Sequence, residues 1–394
     1  MTTFDTNTAT DIRAALGSII ETTVAPNAAA IDRTGAFPSA SIEALGEAGI
    51  LGLLSAPEVG GRGLTLADAA AVVEQLAGVC GSTAMVVLMH FAATSAIEAH
   101  GPADVREDIA RGRHLATLAF SEKGSRSHFW APLGSATATD TGIRLDAEKS
   151  WVTSAGRADS YVWSSQPLEP GPGMTLWLVP GGSAGLEVAG DFDGFGLRGN
   201  ASRPMQGRGT AVGSDTMLGV DGAGMDIALG VILPTFLVLS GAFSLGVMSA
   251  MAAKAEVHLA AARLEHLDAR LADQAVTRAD YARLRIRVDE VRAFLADTLG
   301  ALDAGRPDAV LRVLEVKAVA GEAAADVGSG IMRICGGAAF RKDVGIERHF
   351  RDALAARVMA PTTSALYDFV ARVSLGMPLF DPATDEADVA GDSR

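Results

Sequence analysis

Two hydrophobic rhythms alternate along this chain. Between residues 10 and 110, apolar side chains recur every three or four positions, as in IRAALGSIIETTV, SIEALGEAGILGLL and LADAAAVVEQLAGV. That spacing predicts amphipathic helices, because it gathers apolar residues on one face of a 3.6-residue turn. Thr65, just before the third run, fits an N-cap. The stretch PEVGGRGLT predicts a loop between helices. Near residue 115 the rhythm shortens. LATLAF, SATATD, GIRLDAEKSWVT, SYVWSSQ and TLWLVP are rich in Val, Thr, Trp and Tyr and are broken by Gly, Pro and Asp. They predict the strands of a small antiparallel β domain. From about 225 to 375, runs such as EVHLAAARLEHLDARLADQ and AVLRVLEVKAVAGEAAADVGSGIMRICG predict a bundle of roughly four helices. The expected fold is α+β. Residues 1–114 form a helical domain, 115–220 a β domain and 221–380 a helical bundle, and 381–394 are a frayed acidic tail.

One interval raises the question of a membrane. Between Asp226 and Lys254 there is no charged residue, and the stretch is long enough to span a bilayer. It has neither a Lys/Arg-rich flank nor an aromatic belt. A helix apolar all round also suits the centre of a large bundle, and that is the expectation, with no membrane partner.

Composition narrows the function classes. A chain of 394 residues exceeds one ordinary core, so two or three domains are expected. A net charge of −14 argues against nucleic acid and anionic membrane. It leaves room for a polyanionic cofactor held by local Arg or backbone N–H groups. The two cysteines, Cys80 and Cys335, have neither CxxC nor Cys/His spacing, so neither a disulfide framework nor a metal site is expected. The first residues, MTTFDTNTATD, lack the basic and apolar regions of a signal peptide. A reducing, cytoplasmic setting is expected.

Several short motifs carry candidate chemistry. LAFSEKGSRSHF, residues 118–129, offers hydroxyls and backbone N–H groups in a tight loop, a way to hold a cofactor edge. EKSWVTSAGRADSYV, GFGLRGNAS and RLEHLDARLADQ follow at 148–162, 194–202 and 263–274. From Met332 the chain reads MRICGGAAFRKDVGIERHFRDALAARVMAPTTSALYDFVAR. In order and approximate spacing over residues 40–372, these resemble the motifs of the acyl-CoA dehydrogenase family, including "xxLTEPGAGSD" and "GxKxWITNGxxAD".

The resemblance implies a site. Phe120, Ser121 and Ser127 would belong to the flavin loop, in which Lys123, Arg126 and His128 replace the family's Pro, Gly and Asp. Trp151 would flank the isoalloxazine, and the Thr153 hydroxyl would bond near flavin N5. Arg263 and Gln274 keep the family's Arg–Gln separation, the Arg reaching the FAD pyrophosphate of a neighbouring subunit. Arg333, Gly336 and Gly337 would also meet the partner's cofactor. Thr362 would bind the adenylate side, with Ser364 where the family has Glu. The resemblance thus implies FAD, a small-molecule substrate of the CoA-thioester kind, and a homotetramer or homodimer.

At the family's catalytic glutamate stands Ala360. Alanine cannot accept a proton, although its backbone N–H could still meet a substrate carbonyl; Ser127 and Ala360 are therefore the expected substrate contacts. Some relatives carry the base on the long apolar helix instead, where this chain has Phe236, and no Asp or Glu occurs from 227 to 253. His128, beside the flavin loop, and His90, on an apolar helix, are the candidate substitutes; Glu122 is a third. Three readings follow. The favoured one is an FAD-dependent monooxygenase, which needs no α-proton base and in which a His can relay protons. The second is an acyl-CoA dehydrogenase with a relocated base. The third is a non-catalytic flavin- or CoA-binding homologue, against which Trp151 and Thr153 weigh.

Overall fold

The structure, a computed structural model, describes residues 6–125, 128–140 and 142–380. The 381–394 tail lies outside the described residues. The chain opens with six helices: α1 Thr6–Ile19, α2 Ala25–Thr34, α3 Ser39–Glu47, α4 Leu66–Ala77, α5 Gly81–His100 and α6 Ala103–Ala110. Thr65 caps α4 as its sequence suggests. Its hydroxyl oxygen accepts from the Asp68 N–H, and the Asp68 carboxylate accepts from the Thr65 N–H. In α5, apolar residues surround the helix, and it is buried along most of its length.

Eight strands follow: β1 Ala116–Ala119, β2 Ser135–Thr139, β3 Gly142–Val152, β4 Ser160–Ser165, β5 Thr175–Pro180, β6 Leu186–Val188, β7 Arg203–Val212 and β8 Met217–Leu218. They form two four-stranded sheets, ordered β1-β4-β5-β8 and β2-β3-β7-β6. Pairings are antiparallel except β1 with β4. That exception departs from the all-antiparallel expectation for a topological reason. The chain leaves the first sheet after β1, builds β2 and β3 in the second, and re-enters in the original direction. Alternation along β4 and β5 separates two cores. Tyr161, Trp163, Trp177 and Val179 pack inside the β domain, while Val162, Leu176 and Leu178 join the helical core. Strands covered on both faces need apolar residues at both phases, which is why these two read as continuous hydrophobic runs.

The last part is helical: α7 Gly224–Ile227, α8 Leu233–Ala261, α9 Ala275–Asp303, α10 Ala309–Cys335, α11 Ile346–Ala353, α12 Ala355–Val358 and α13 Thr363–Ser374. The uncharged interval enters through a π-helical turn at Ala228–Ile232, next to Pro234, which has no N–H to donate. It continues as α8, packed by α4, α5, α9, α10 and α11. By length and composition both Gly81–His100 and Gly224–Ala261 could cross a membrane; 83% and 78% of their apolar windows are buried within this chain.

One helical expectation is overturned. EVHLAAARLEHLDARLADQ does not run through as a helix. α8 ends at Ala261, and the chain makes a small hairpin of β9 Arg263–Leu264 and β10 Ala269–Arg270 before α9. Asp268 takes the left-handed turn between them, a conformation its short polar side chain tolerates. Arg270 then donates its N–H and guanidinium to Asp273. Local polar partners outweigh an apolar spacing that would have suited a helix.

Candidate functional site

A cleft of about 1220 Å³ opens between the β domain, the start of α8 and the segment around α12. Phe120, Ser121, Trp151, Thr153 and Ala360, distant in sequence, all line it. Met89 of α5 and Ile232, Leu233 and Phe236 at the head of α8 supply an apolar wall.

The β domain presents its aromatic group through a local irregularity. Pairing of β3 with β7 slips between Lys149 and Val152. Within that bulge Trp151 has φ +57° and is 69% exposed, with Phe192 edge-on at 6.4 Å. Bulges re-aim side chains, and non-glycine residues held at positive φ cluster where a site needs them. Thr153, just beyond, is 3% exposed, lines the cleft, and has no hydroxyl partner among the described residues.

The loop after β1 is pinned to β3. Lys123 N–H donates to Glu148 O at 3.0 Å and Ser150 N–H to Ser121 O at 2.8 Å. Beneath it lies a buried ion pair. Lys149 Nζ donates to Glu122 Oε1 at 2.5 Å, Ser164 O at 2.7 Å and Ser164 Oγ at 2.8 Å. Glu122 Oε2 accepts the N–H groups of Leu133 at 2.5 Å and Gly134 at 3.0 Å. Burial lowers the Lys149 ammonium to about 8, against the opposing pull of Glu122. Every proton of Lys149 is spent, and Glu122 is a structural anion rather than a free base. The partners are 27 positions apart in sequence, so the pairing was invisible there.

Arg351 is equally committed. It grips Asp32 through both guanidinium ends at 2.8 and 2.6 Å, Glu347 at 2.7 Å and Phe195 O at 3.1 Å. Asp352 Oδ1 accepts the Leu197 N–H at 2.7 Å. Together they lock the 193–197 loop, which lines the cleft, against α2 and α11. No motif of the sequence pointed to Asp191, Phe192, Asp193 and Phe195 as site residues, and all four border the cleft.

Both histidine candidates stand away from the cleft. His90 is 0% exposed; its Nε2 donates to Leu51 O at 3.1 Å and its Nδ1 accepts from Ala116 N–H at 3.1 Å. Burial lowers it to about 4, so it is a neutral core residue tying α5 to β1. His128 donates from Nδ1 to Ser125 O at 2.8 Å and packs edge-on against Trp130 at 4.8 Å. Backbone groups engage both ring nitrogens of His90 and Nδ1 of His128. Ser127 lies outside the described residues.

The remaining sequence candidates lie outside the cleft within one subunit. Arg263 is exposed and paired with Asp268. Gln274 sits at the N-terminus of α9. Arg333 is exposed and bonds Asp280 at 3.1 Å. Gly336 and Gly337 follow α10, with no group of the chain within 4 Å of a Cβ built on either. These five gather where α9 begins and α10 ends. Thr362 caps α13, its hydroxyl accepting from Ala365 N–H, and Ser364 is exposed on the first turn.

Ala360 faces the cleft, and its N–H has no acceptor among the described residues. Phe236, the other sequence position for a base, also lines the cleft. The exposed indole, the unpartnered Thr153 hydroxyl and the size of the cleft fit a flavin ring with an acyl group beyond it.

Comparison with known proteins agrees with this geometry. The acyl-CoA dehydrogenase N-terminal domain model matches residues 6–112, the middle-domain model 117–209 and the C-terminal-domain model 232–375. A probable acyl-CoA dehydrogenase of Mycobacterium tuberculosis is 23% identical, over 87% of this chain and 89% of its own. The human mitochondrial short-chain specific acyl-CoA dehydrogenase is 25% identical, over 83% and 80%. Among solved structures, butyryl-CoA dehydrogenase of Megasphaera elsdenii superposes with a TM-score of 0.88 at 20% identity, covering 95% of this chain and all of that one. PigA with FAD and proline gives 0.86 at 18%, covering 96% and 100%. At these identities the structural likeness speaks for the fold.

Proposed function

The chain belongs to the acyl-CoA dehydrogenase superfamily and is an FAD-dependent oxidoreductase, and from that premise we propose that it desaturates a small acyl thioester bound between Trp151 and Ala360. The observation that carries this reading is the shared cleft, with Trp151 and Thr153 on one wall and Ala360 on the other. FAD, when bound, supplies the hydride acceptor. Trp151 would pack against its ring and Thr153 would donate a hydroxyl to it. The Ala360 N–H binds the thioester carbonyl, which acidifies the α-proton by stabilising negative charge on oxygen.

The α-proton still needs an acceptor, since residue 360 supplies none. Three carboxylates border the cleft besides the locked Glu122: Glu148, Asp191 and Asp193. Glu148 pairs with Lys123 at 3.2 Å and Asp193 with Arg198 at 2.9 Å. Asp191 has no partner among the described residues, which makes it the first candidate for a relocated base. The relatives named acyl-CoA dehydrogenases support desaturation. A second reading, flavin-dependent oxygenation, is favoured by one observation: both usual base positions are non-acidic, Ala360 and Phe236, and both face the cleft.

Anaerobic mixing of the FAD-loaded protein with a panel of saturated acyl-CoAs, butyryl-CoA among them, separates the two. Bleaching of the flavin, slowed in Asp191→Asn, supports desaturation from that base. Ala360→Glu should raise the bleaching rate ~10²–10⁴-fold, the usual worth of a general base. No bleaching by any member, with oxygen uptake in the presence of a separate reductant, turns the assignment to oxygenation. The expected assembly is a homodimer or homotetramer, with the group around Arg263 and Arg333 reaching a neighbouring subunit's FAD.

A further inference from the structure

Lys317, in the first half of α10, is 1% exposed and has no carboxylate partner. Its Nζ donates instead to three backbone carbonyls: Ala356 O at 2.9 Å, Met359 O at 3.0 Å and Pro361 O at 2.8 Å. An ammonium has three protons, and all three are used. The acceptors belong to one short stretch, and two of them flank Ala360. A bare charge in an apolar interior is costly, so a lysine placed here must return something to the structure.

We propose that Lys317 is a positioning residue that aims and strengthens the Ala360 N–H as the cleft's carbonyl-binding donor. This rests on the reading that a substrate carbonyl docks at Ala360. The carbonyl of Met359 and the N–H of Ala360 belong to the same peptide group. That group is planar and trans, so its C=O and N–H point in opposite directions. With the oxygen held by Lys317, the hydrogen is turned away from α10. A cation on the carbonyl oxygen also draws electron density from the amide nitrogen, which makes its N–H a better donor. The grip on Ala356 and Pro361 fixes both ends of the stretch, so the peptide plane cannot rotate freely. The N–H stays free of any acceptor within the described chain, as a donor reserved for a ligand must.

Burial lowers the Lys317 ammonium to about 7. The three carbonyls favour the protonated form. The clamp therefore has a protonated, holding state and a neutral state with one carbonyl released.

Two readings test this, in wild type, Lys317→Met and Lys317→Arg, all loaded with FAD. The first needs no substrate: hydrogen–deuterium exchange of peptides covering residues 355–362. Lys317→Met should lose protection there roughly tenfold, the worth of charge-assisted hydrogen bonds, with α5 and α8 unchanged. The second is the infrared carbonyl band of crotonyl-CoA labelled with carbon-13 at C1. Binding to wild type should lower its frequency; in Lys317→Met it should return toward the solution value, and Lys317→Arg should restore part of the shift. A merely structural lysine would change stability and leave the band of the bound ligand where it was. Unchanged local protection, or an unchanged band, overturns the proposal. If no thioester binds wild type, the proposed function falls and the exchange experiment alone judges the clamp. Should Lys317→Met fail to fold, exchange in wild type from pH 6 to 9 decides, after correction for intrinsic rates. Selective loosening of 355–362 as pH rises supports the clamp, and a flat profile refutes it.

Discussion

At the residue scale, the site is governed by which polar groups are already spent. Glu122, Lys149 and Arg351 carry charge into the cleft wall, yet each is consumed by partners inside the chain. Breaking the Lys149–Glu122 pair from one side leaves a buried charge alone. Lys149→Met should cost ~3–5 kcal/mol in urea unfolding. Adding Glu122→Gln should recover part of that loss; a double variant as weak as the sum of the singles would mean that the pairing itself contributes nothing. His90 gives a pH prediction. Folded, it titrates at about 4; unfolded, near 6.5. The unfolded chain therefore binds the proton first, and stability from this residue is present above pH ~6.5 and lost as pH falls toward 4. His349, buried and lowered to about 3, acts in the same direction. Asp352 opposes them: burial raises it to about 6, so falling pH relieves a cost there. In His90→Gln, whose amide can keep both hydrogen bonds, the urea midpoint should fall less steeply between pH 6.5 and 4. An unchanged slope would show that His90 does not govern acid sensitivity.

At the scale of elements, helix contacts hold the cleft walls at their spacing. α8 is apolar all round because helices cover it on several sides, so its sequence shows no single buried face. Where it crosses α4, Gly246 allows contact with backbone: a Cβ there would lie 2.2 Å from Glu74 O. Gly300, exposed on α9, has nothing within 4 Å of a Cβ. The two glycines should respond oppositely to alanine. Gly246→Ala should destabilise by ~1–3 kcal/mol through overpacking, while Gly300→Ala should stabilise by about 0.5–1 kcal/mol through helix propensity. Thermal unfolding of the two variants tests this, and a tolerated Gly246→Ala would show that α4 can move away from α8.

At the scale of the molecule, exposed apolar side chains bear on the proposed assembly. Val257, Val276, Ile286 and Phe340 are exposed near the end of the bundle where α8 and α10 finish and α9 begins, Phe340 by 79%. Arg263, Gln274, Arg333, Gly336 and Gly337 lie at that same end. Apolar exposure beside uncommitted glycine backbone fits a subunit contact. Sedimentation at micromolar concentration should give a dimer or tetramer. Phe340→Asp with Val276→Asp should shift it toward monomer and lower retained FAD; a monomeric wild type would remove the assignment of these residues to a shared site.

Sequence and structure divide the account by the range of the forces involved. Local spacing was enough for the helix–sheet–helix order and for the Thr65 cap, because period and capping act within a few residues, whereas Trp151 and Thr153 entered through the family resemblance. Ala360 as the position of the absent base came from the resemblance as well; the structure adds that this residue lines the cleft. The parallel pairing of β1 with β4, the bonds that tie His90 to Leu51 and Ala116, the Glu122–Lys149 pair and the grip of Lys317 on three carbonyls were decided only by the tertiary fold. Each depends on desolvation and on partners remote in sequence, and burial makes those interactions strong at the moment that it removes them from any local pattern.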